Sequence, residues 1–225
     1  MATNAPRATY HHGDLRNAFM RAALGLVSTR GVHAFSLREA AREIGVSPSA
    51  AYRHFTDKEA LLDAVADDGT RRLAEEMRVA GEGAREGRDG ACATIAALWA
   101  YADAVLDFAV RNAAHWRVMA VCKDRQEPQT DAGTLALEAF DELIGLGVID
   151  AAHRDRGLVA AWAGVYGLAF LLVEGMAGKH ADAEGFRRGA LDAVLRTTLL
   201  GIGVDEALLP EPRPFRVAPP DVTTA

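Results

Sequence analysis

The side chains with the most distinctive chemistry lie between residues 36 and 58, where hydroxyl and basic groups stand among small residues. Arginine can make a bidentate contact with guanine, and a serine or tyrosine hydroxyl can bond a phosphate oxygen. Residues 1–56 contain seven arginines but only three acidic residues, a net charge of +4. The whole chain has a net charge of −6, so the rest carries −10. Such asymmetry is expected when one end of a protein meets a polyanion.

Motifs for catalysis are missing from the sequence. It contains no nucleophile elbow, no HExxH, no phosphate-binding loop and no CxxC. The adjacent carboxylate pairs Asp67-Asp68 and Asp141-Glu142 lie on predicted helices, where neighbouring side chains point in different directions. We therefore expect no enzymatic activity and no cofactor, with a small all-α enzyme as the remaining alternative.

Two histidines and two cysteines are further candidates for metal or redox chemistry. His11 and His12 form only a weak metal signal, so we predict no metal site and place the pair in an N-terminal arm near DNA. Cys92 and Cys122 are far apart in helical segments, and we expect buried free thiols. A redox-sensing pair is the alternative.

The elements that position the polar stretch are two short helices separated by Gly45. The first begins at Ser36 with a capping-box pattern, and the second begins at Ser47 with proline at its first helical position. A sharp turn between two packed helices is a helix-turn-helix, whose second helix enters the major groove of DNA. The same pattern also occurs in all-α proteins that bind no DNA, where exposed arginine and tyrosine side chains are merely solvated.

Helical periodicity continues along the chain, and no alternating strand pattern appears. We therefore predict an all-α fold of about nine helices, the first from Asp14 to Gly31. A capping box at Thr56 and Glu59 is expected to open a long helix that ends near Ala80. Further helices are predicted over residues 90–112, 113–122, 133–146, 154–178 and 185–201.

The domain boundaries follow from the same patterns. The glycine-rich segment 80–90 is predicted to be a loop between two lobes, and five of the eight prolines fall in the final segment. The predicted parts are a flexible arm (1–13), a helix-turn-helix domain (14–60) with a linking helix (57–80), a larger helical domain (61–204) and a disordered tail (205–225). No apolar run reaches the ~20 residues that span a bilayer, and no signal peptide is recognisable, so we expect a cytoplasmic protein without a membrane partner.

The polar stretch is similar to the DNA-binding domain of the TetR family of bacterial repressors. The matching positions are Ser36-Leu37-Arg38-Glu39, Ala41, Gly45-Val46-Ser47, Tyr52, Phe55 and Lys58-Glu59-Ala60-Leu61, preceded by TRGVHAFS. The resemblance covers about residues 12–66. It implies a three-helix DNA-binding domain, a larger helical domain that binds a small molecule, and a homodimer.

The resemblance also assigns DNA contacts to residues of this chain. One set matches the family's phosphate contacts: Ser36, Tyr52, Lys58 and, less closely, His54. A second set opens the recognition helix or faces base edges: Arg38, Ser47, Pro48, Ser49 and Arg53. Many family members carry a larger or polar residue at Pro48, Ala50 and Ala51, so the operator sequence is left open.

The larger domain supplies candidates for an effector cavity and for a dimer interface. Large apolar residues with a few polar neighbours are expected to line the cavity, with an ordinary core position as the alternative for each: Trp99, Asp103, His115, Trp116, Met119, Phe140, Trp162, Tyr166 and Phe170. By resemblance, the last two helices pair with their copies through small and apolar residues: Gly164, Gly167, Leu168, Leu171, Phe186, Ala190, Val194 and Thr197. The tryptophan and glycine within residues 162–168 are similar to a signature of one TetR subgroup.

Taken together, the resemblance implies a homodimeric transcriptional repressor that binds a pseudo-palindromic operator and is released by a small-molecule effector. A DNA-binding activator and a regulator without a ligand are the alternatives, followed by a redox sensor that uses Cys92 and Cys122.

Overall fold

The structure is a computed structural model that describes residues 12–122, 131–177 and 184–213. Within these ranges it contains α-helices and short 3-10 turns but no strand, so the predicted all-α fold is confirmed. The helices are α1 (His12–Arg30), α2 (Leu37–Glu43), α3 (Pro48–His54), α4 (Lys58–Arg85), α5 (Gly90–Arg111), α6 (Ala113–Val121), α7 (Asp131–Gly145), α8 (Arg154–Val173) and α9 (Glu184–Gly201). His11 and the side chain of His12 lie outside the described part.

The described residues form two compact units. The first contains α1, α2, α3, the part of α4 up to Gly69, and α6 from Ala114 onward. The second contains the rest of α4 from Thr70, α5, α7, α8, α9 and the described residues that follow α9.

In the first unit, α1, α2 and α3 pack around an aromatic centre. Phe19 is fully buried, and its ring meets the ring of Phe55 edge to face with the centroids 5.9 Å apart. Leu37 and Ala51 bring the inner faces of α2 and α3 into the same core. Gly45 joins these helices with a φ of +74°, a left-handed conformation that glycine adopts without steric cost.

The start of α4 differs from the prediction that Thr56 caps it. The helix begins at Lys58, and the carboxylate of Asp57 accepts a hydrogen bond from the backbone N–H of Ala60 at 2.7 Å. An ionised aspartate is favoured at this position because it accepts the free N–H and also interacts with the positive end of the helix dipole. The capping box expected from Thr56 and Glu59 is therefore wrong by one residue.

The end of α4 also differs from the sequence-based expectation, because the helix continues to Arg85 through the segment predicted to be a loop. Gly81 is buried, and a Cβ atom there would lie 2.1 Å from Cε1 of Tyr101. Glycine at this position thus lets α5 approach closely and does not break the helix. The remaining connection to α5 is the short segment 86–89.

In the second unit, α5 is the central helix and packs against α7, α8 and α9. Phe108 on α5, Phe140 and Leu143 on α7, and Leu191 on α9 are completely or almost completely buried in this core. Cys92 lies in the first turn of α5 and is exposed, so the prediction of a buried thiol is wrong for this residue. Both cysteines are free thiols.

A segment that follows α9 packs against the second unit, although its prolines predict disorder. We name residues 205–213 the C-terminal strap. Its first part is a 3-10 turn, Glu206–Leu208, capped by the carboxylate of Asp205. Arg196 on α9 donates a hydrogen bond to the carbonyl oxygen of Pro210, which fixes the middle of the strap. The predicted tail beyond residue 213 lies outside the described residues.

Candidate functional site

Helix α3 presents a polar face above a buried one. Its N-cap is Ser47, whose hydroxyl oxygen accepts a hydrogen bond from the backbone N–H of Ala50 at 3.3 Å. Ala51 is fully buried, whereas Pro48, Ser49, Tyr52 and Arg53 are exposed. These four exposed residues all belong to the set predicted to contact DNA.

Three of the residues predicted to contact DNA have no hydrogen-bond or ion-pair partner among the described residues. Tyr52 is 48% exposed, and neither its hydroxyl nor the guanidinium groups of Arg38 and Arg53 make a hydrogen bond or ion pair within the described residues. These donors are therefore available to an external acceptor. A phosphate oxygen or a base edge in the major groove matches their chemistry.

Ser36 is already engaged in the capping box of α2. Its backbone N–H donates to Oε2 of Glu39 at 2.8 Å, and its hydroxyl accepts from the backbone N–H of Glu39 at 3.3 Å. The Ser36 hydroxyl also donates to Oε2 of Glu39 at 3.0 Å. This bond and the one from the Ser36 backbone N–H, with a smaller contribution from Arg30, hold the pKa of the Glu39 carboxyl below its ordinary value. The capping box thus fixes the start of α2 and the position of the Ser36 hydroxyl.

Lys58 and His54 have packing roles that the sequence did not reveal. The ammonium group of Lys58 donates to the carbonyl oxygen of His33 at 3.1 Å and lies 4.8 Å from the centroid of the Phe35 ring. The imidazole of His54 faces the ring of Phe19 with centroids 6.2 Å apart. Lys58 therefore helps to hold the turn before α2, and its partners are distant in sequence.

The second unit contains an apolar cavity of about 390 Å³. Of the residues predicted to line an effector cavity, Phe140, Trp162 and Tyr166 do line it. The rings of Trp162 and Tyr166 meet edge to face at 5.5 Å, and burial raises the pKa of the Tyr166 hydroxyl. Among the lining residues that sequence reasoning missed are three on α5, whose helical spacing was the available signal: Leu98, Ala102 and Val105.

The other predicted cavity residues lie elsewhere. Trp99 and Asp103 line a separate cavity, and Phe170 is 54% exposed on α8. His115, Trp116 and Met119 are buried on α6 in the first unit. There, a Cβ atom at Gly69 would lie 2.7 Å from Sδ of Met119, so glycine allows α6 to pack closely on α4.

The predicted dimer residues divide between an inner and an outer face of α8 and α9. A Cβ atom at Gly164 would lie 2.4 Å from Cγ1 of Val194, so this glycine serves the contact between the two helices of one chain. Leu168 is also buried within the chain. Phe186 and Ala190 are half-buried, whereas three predicted residues are exposed: Gly167, Leu171 and Thr197.

The outer face of α8 is unusually apolar for a surface. Val159, Trp162, Phe170 and Leu171 are each at least 40% exposed. Residues 151–173 are long and apolar enough to cross a membrane by length and composition, as are residues 90–111. The sequence-based expectation that no segment reaches this length is thus wrong. In the most apolar stretch of residues 90–111, 67% of the residues are buried. In the corresponding stretch of residues 151–173, only 28% of the residues are buried.

No group of three histidine, cysteine or acidic residues in the described ranges is arranged to hold a metal ion. The candidate sites are therefore the outward face of the helix-turn-helix, the apolar cavity and the outer face of α8. Their chemistry suits polyanion binding, apolar ligand binding and protein association, respectively.

Comparison with known proteins connects these features to one family. Residues 19–65 match the model of the bacterial regulatory proteins of the tetR family. A solved protein of unknown function from Rhodococcus sp. RHA1 is 29% identical, with a TM-score of 0.70 over 88% of this chain and 100% of that chain. A bacterial regulatory protein in the tetR family from Rhodococcus RHA1 is 18% identical, with a TM-score of 0.61 over 85% and 98%. SmeT in its triclosan complex is 16% identical, with a TM-score of 0.61 over 91% and 99%. No curated protein matches.

The family match covers the helices that form the helix-turn-helix, and the solved structures share the all-α fold. The helix-turn-helix unit is thus similar to the DNA-binding domain of the bacterial regulatory proteins of the tetR family, as the resemblance predicted. The match ends at residue 65 and does not reach residues 162–168. Assignment to the subgroup with the tryptophan–glycine signature therefore stays a prediction.

Proposed function

We propose that the protein is a homodimeric repressor that binds a pseudo-palindromic operator through α3 and is released by a small apolar effector. The observation that carries the proposal is the outward face of α3, where Tyr52 and Arg53 lack partners among the described residues although the inner face is tightly packed. Pro48 and Ser49 are small, which lets the helix axis come close to base edges. The proposed contacts to phosphates and bases are those assigned by resemblance.

The outer face of α8 supports the homodimer. An apolar helix surface of this extent is favourable only when another surface covers it, and a second copy of α8 and α9 is complementary by symmetry. Two copies of α3 then read half-sites about one helical turn apart, ~34–36 Å, or a multiple of it. We accordingly propose a cytoplasmic location, where the protein has access to the chromosome.

The apolar cavity supports an effector with a compact, mainly hydrophobic body. Aromatic walls from Phe140, Trp162 and Tyr166 suit such a molecule, and the hydroxyl of Tyr166 is a polar anchor. The solved SmeT structure contains triclosan, an observation about that protein that agrees in kind with this cavity. An effector lowers operator affinity only if it binds better to a conformation that binds DNA poorly, and typical coupling of ~1–3 kcal/mol changes affinity roughly 5- to 150-fold.

Selection of sheared genomic DNA by the purified protein tests the proposal. Sequencing of the bound fragments should reveal a few two-fold symmetric sites that a Tyr52→Ala, Arg53→Ala variant no longer enriches. On such a site, Arg53→Ala should cost about 1–3 kcal/mol of binding free energy if its contact is bidentate. Arg78→Ala is the matched control, since Arg78 is an exposed arginine of α4 that lies outside both the helix-turn-helix and the outer face of α8.

Three outcomes would contradict the proposal. Enrichment without symmetry would exclude the dimeric operator, and equal losses for the Arg53 and Arg78 variants would exclude a specific contact. Operator affinity that is unchanged by every molecule shown to bind the apolar cavity would exclude release by an effector. Reporter output in a deletion strain distinguishes repression from activation. Unchanged DNA binding by a Cys92→Ser, Cys122→Ser variant would remove the redox alternative.

A further inference from the structure

The apolar cavity of the second unit reaches solvent at the outer face of α8. Many of its lining residues, such as Leu98 and Phe140, are buried. Its three exposed lining residues are Val159 and Trp162 on α8, which are 57% and 52% exposed, and Gly133 on α7. A molecule bound in the cavity of a single chain therefore keeps part of its apolar surface in contact with water.

The outer face of α8 has the charge pattern of a surface that pairs with its own copy. No charged residue lies within residues 157–173. The two ends of this apolar segment carry opposite charges, Arg156 directly before it and Glu174 directly after it, and both residues are exposed. They lie 18 positions apart, which is five turns of 3.6 residues, so they stand on the same side of the helix.

Two antiparallel copies of α8 satisfy this pattern at both ends. In a two-fold symmetric pair, Arg156 of one chain meets the partner subunit's Glu174, and symmetry repeats the pair at the other end. Ala163 and Gly167, which are both exposed, then lie near the two-fold axis, where their small size lets the helices approach closely. A second copy of this chain thus matches the face in both charge and shape.

The same register supplies the missing wall of the cavity. Val159 lies three residues after Arg156, so it faces the partner subunit's Leu171, which lies three residues before Glu174. Within one chain, Leu171 lies twelve residues from Val159, about 18 Å along α8, and does not line the cavity. A contribution of Leu171 to the cavity therefore comes from a second copy.

We propose that the second copy of the chain completes each apolar cavity by placing its Leu171 over the open side, so that effector binding and dimerisation strengthen each other. The completed site takes an uncharged molecule, because no lining residue carries a charge and an enclosed ionised group would lack a partner. The inference rests on the homodimer of the proposed function and adds what closes its effector site. A molecule that binds the dimer more tightly than the monomer stabilises the dimer by the same factor at each site.

Two fluorophores that differ by one sulfonate test the coupling and the chemical class. N-phenyl-1-naphthylamine is uncharged, and 8-anilino-1-naphthalenesulfonate is its anionic counterpart. Sedimentation velocity over a dilution series measures the dimer dissociation constant with and without each probe. Saturation with the uncharged probe should lower this constant roughly 16- to 200-fold, because each of the two sites gains about four- to fifteenfold when one or two methyl groups are covered. The sulfonate should bind at least about tenfold more weakly than the uncharged probe.

Two results with these probes would overturn the proposal. A probe that lies on the exposed face of α8 competes with dimerisation, so a dissociation constant that is raised or unchanged would exclude closure by the second copy. Equal or tighter binding of the sulfonate would exclude an uncharged site.

Replacement of Leu171 tests the wall directly. Leu171→Ala should weaken binding of the uncharged probe roughly four- to fifteenfold at concentrations where the protein is dimeric. Leu146→Ala is the matched control, because Leu146 is also an exposed leucine of the second unit that does not line the cavity. Equal probe affinities of two dimeric variants would exclude the wall and leave the homodimer of the proposed function standing.

Charge reversal tests the register of the pair. Glu174→Arg should raise the dimer dissociation constant roughly tenfold, since it opposes two arginines across the two-fold axis. Addition of Arg156→Glu should restore the dimer by reversing both ion pairs. Failure of the double variant to recover the dimer would refute this register. Wild-type protein that is monomeric at every concentration would instead refute the homodimer itself, and the inference with it.

Discussion

Replacing Gly81 by alanine should destabilise the protein, although alanine is the better helix former. A Cβ atom at this position would lie 2.1, 2.7 and 2.9 Å from three atoms of the Tyr101 side chain, well inside contact distance. The ring must move, and overpacking of this kind costs about 1–3 kcal/mol. Gly83→Ala is the matched control on the same helix, because a Cβ atom there meets nothing within 4 Å.

The two substitutions should change the free energy of unfolding in opposite directions. Gly83→Ala should raise the free energy of unfolding by about 0.4–1 kcal/mol through helix propensity and reduced freedom of the unfolded chain. This gain is common to both variants and cancels in their difference, which should therefore be about 1–3 kcal/mol. Urea unfolding followed by circular dichroism measures it, at equal protein concentrations because dimerisation would shift the midpoints.

The position of the Tyr101 ring gives this prediction a functional consequence. Tyr101 lines the apolar cavity, so its displacement should also weaken any apolar ligand that binds there. A Gly81→Ala variant at least as stable as Gly83→Ala would refute the reasoning, since it would show that α4 and α5 do not approach as closely as the structure indicates.

Three further perturbations have defined outcomes. The capping box holds the pKa of Glu39 below its usual 4.5, so its contribution to stability is complete above pH 4.5 and is lost as the pH falls through the lowered pKa. Glu39→Gln should therefore flatten the dependence of Tm on pH below pH 4.5. Asp192→Ala should lower the free energy of unfolding by about 2–4 kcal/mol in urea, because it leaves the buried indole N–H of Trp99 without its acceptor. Phe170→Glu should convert the dimer into a monomer, as measured by sedimentation velocity. Val79→Glu, at an exposed position of α4, should leave the dimer intact. A stable dimer of the Phe170→Glu variant would exclude the outer face of α8 as the interface.

The helix-turn-helix could be predicted from the sequence because its signals are local. The cap at Ser47, the proline at position 48 and the glycine at position 45 act on residues within one helical turn. The capping box of α2 is equally short-ranged. Each signal was sufficient without knowledge of the tertiary packing.

The sequence-based predictions were wrong where residues distant in sequence determine the local structure. Gly81 looks like a helix breaker in sequence, but the ring of Tyr101 occupies the space that a side chain would need. Prolines predict a disordered tail, but Asp192 and Arg196 bind the strap that contains two of them. The aromatic residues proposed for one cavity are large and apolar in every location, so composition could not assign them to separate sites.

The attachment of the strap decides where a reporter domain can be fused to this protein. A junction made directly after residue 204 would delete the strap and expose one side of the indole that Asp192 holds. A junction after residue 213 would keep every hydrogen bond between the strap and α9. Fluorescent fusions and affinity tags should therefore follow residue 213 if the second unit is to keep its native surface.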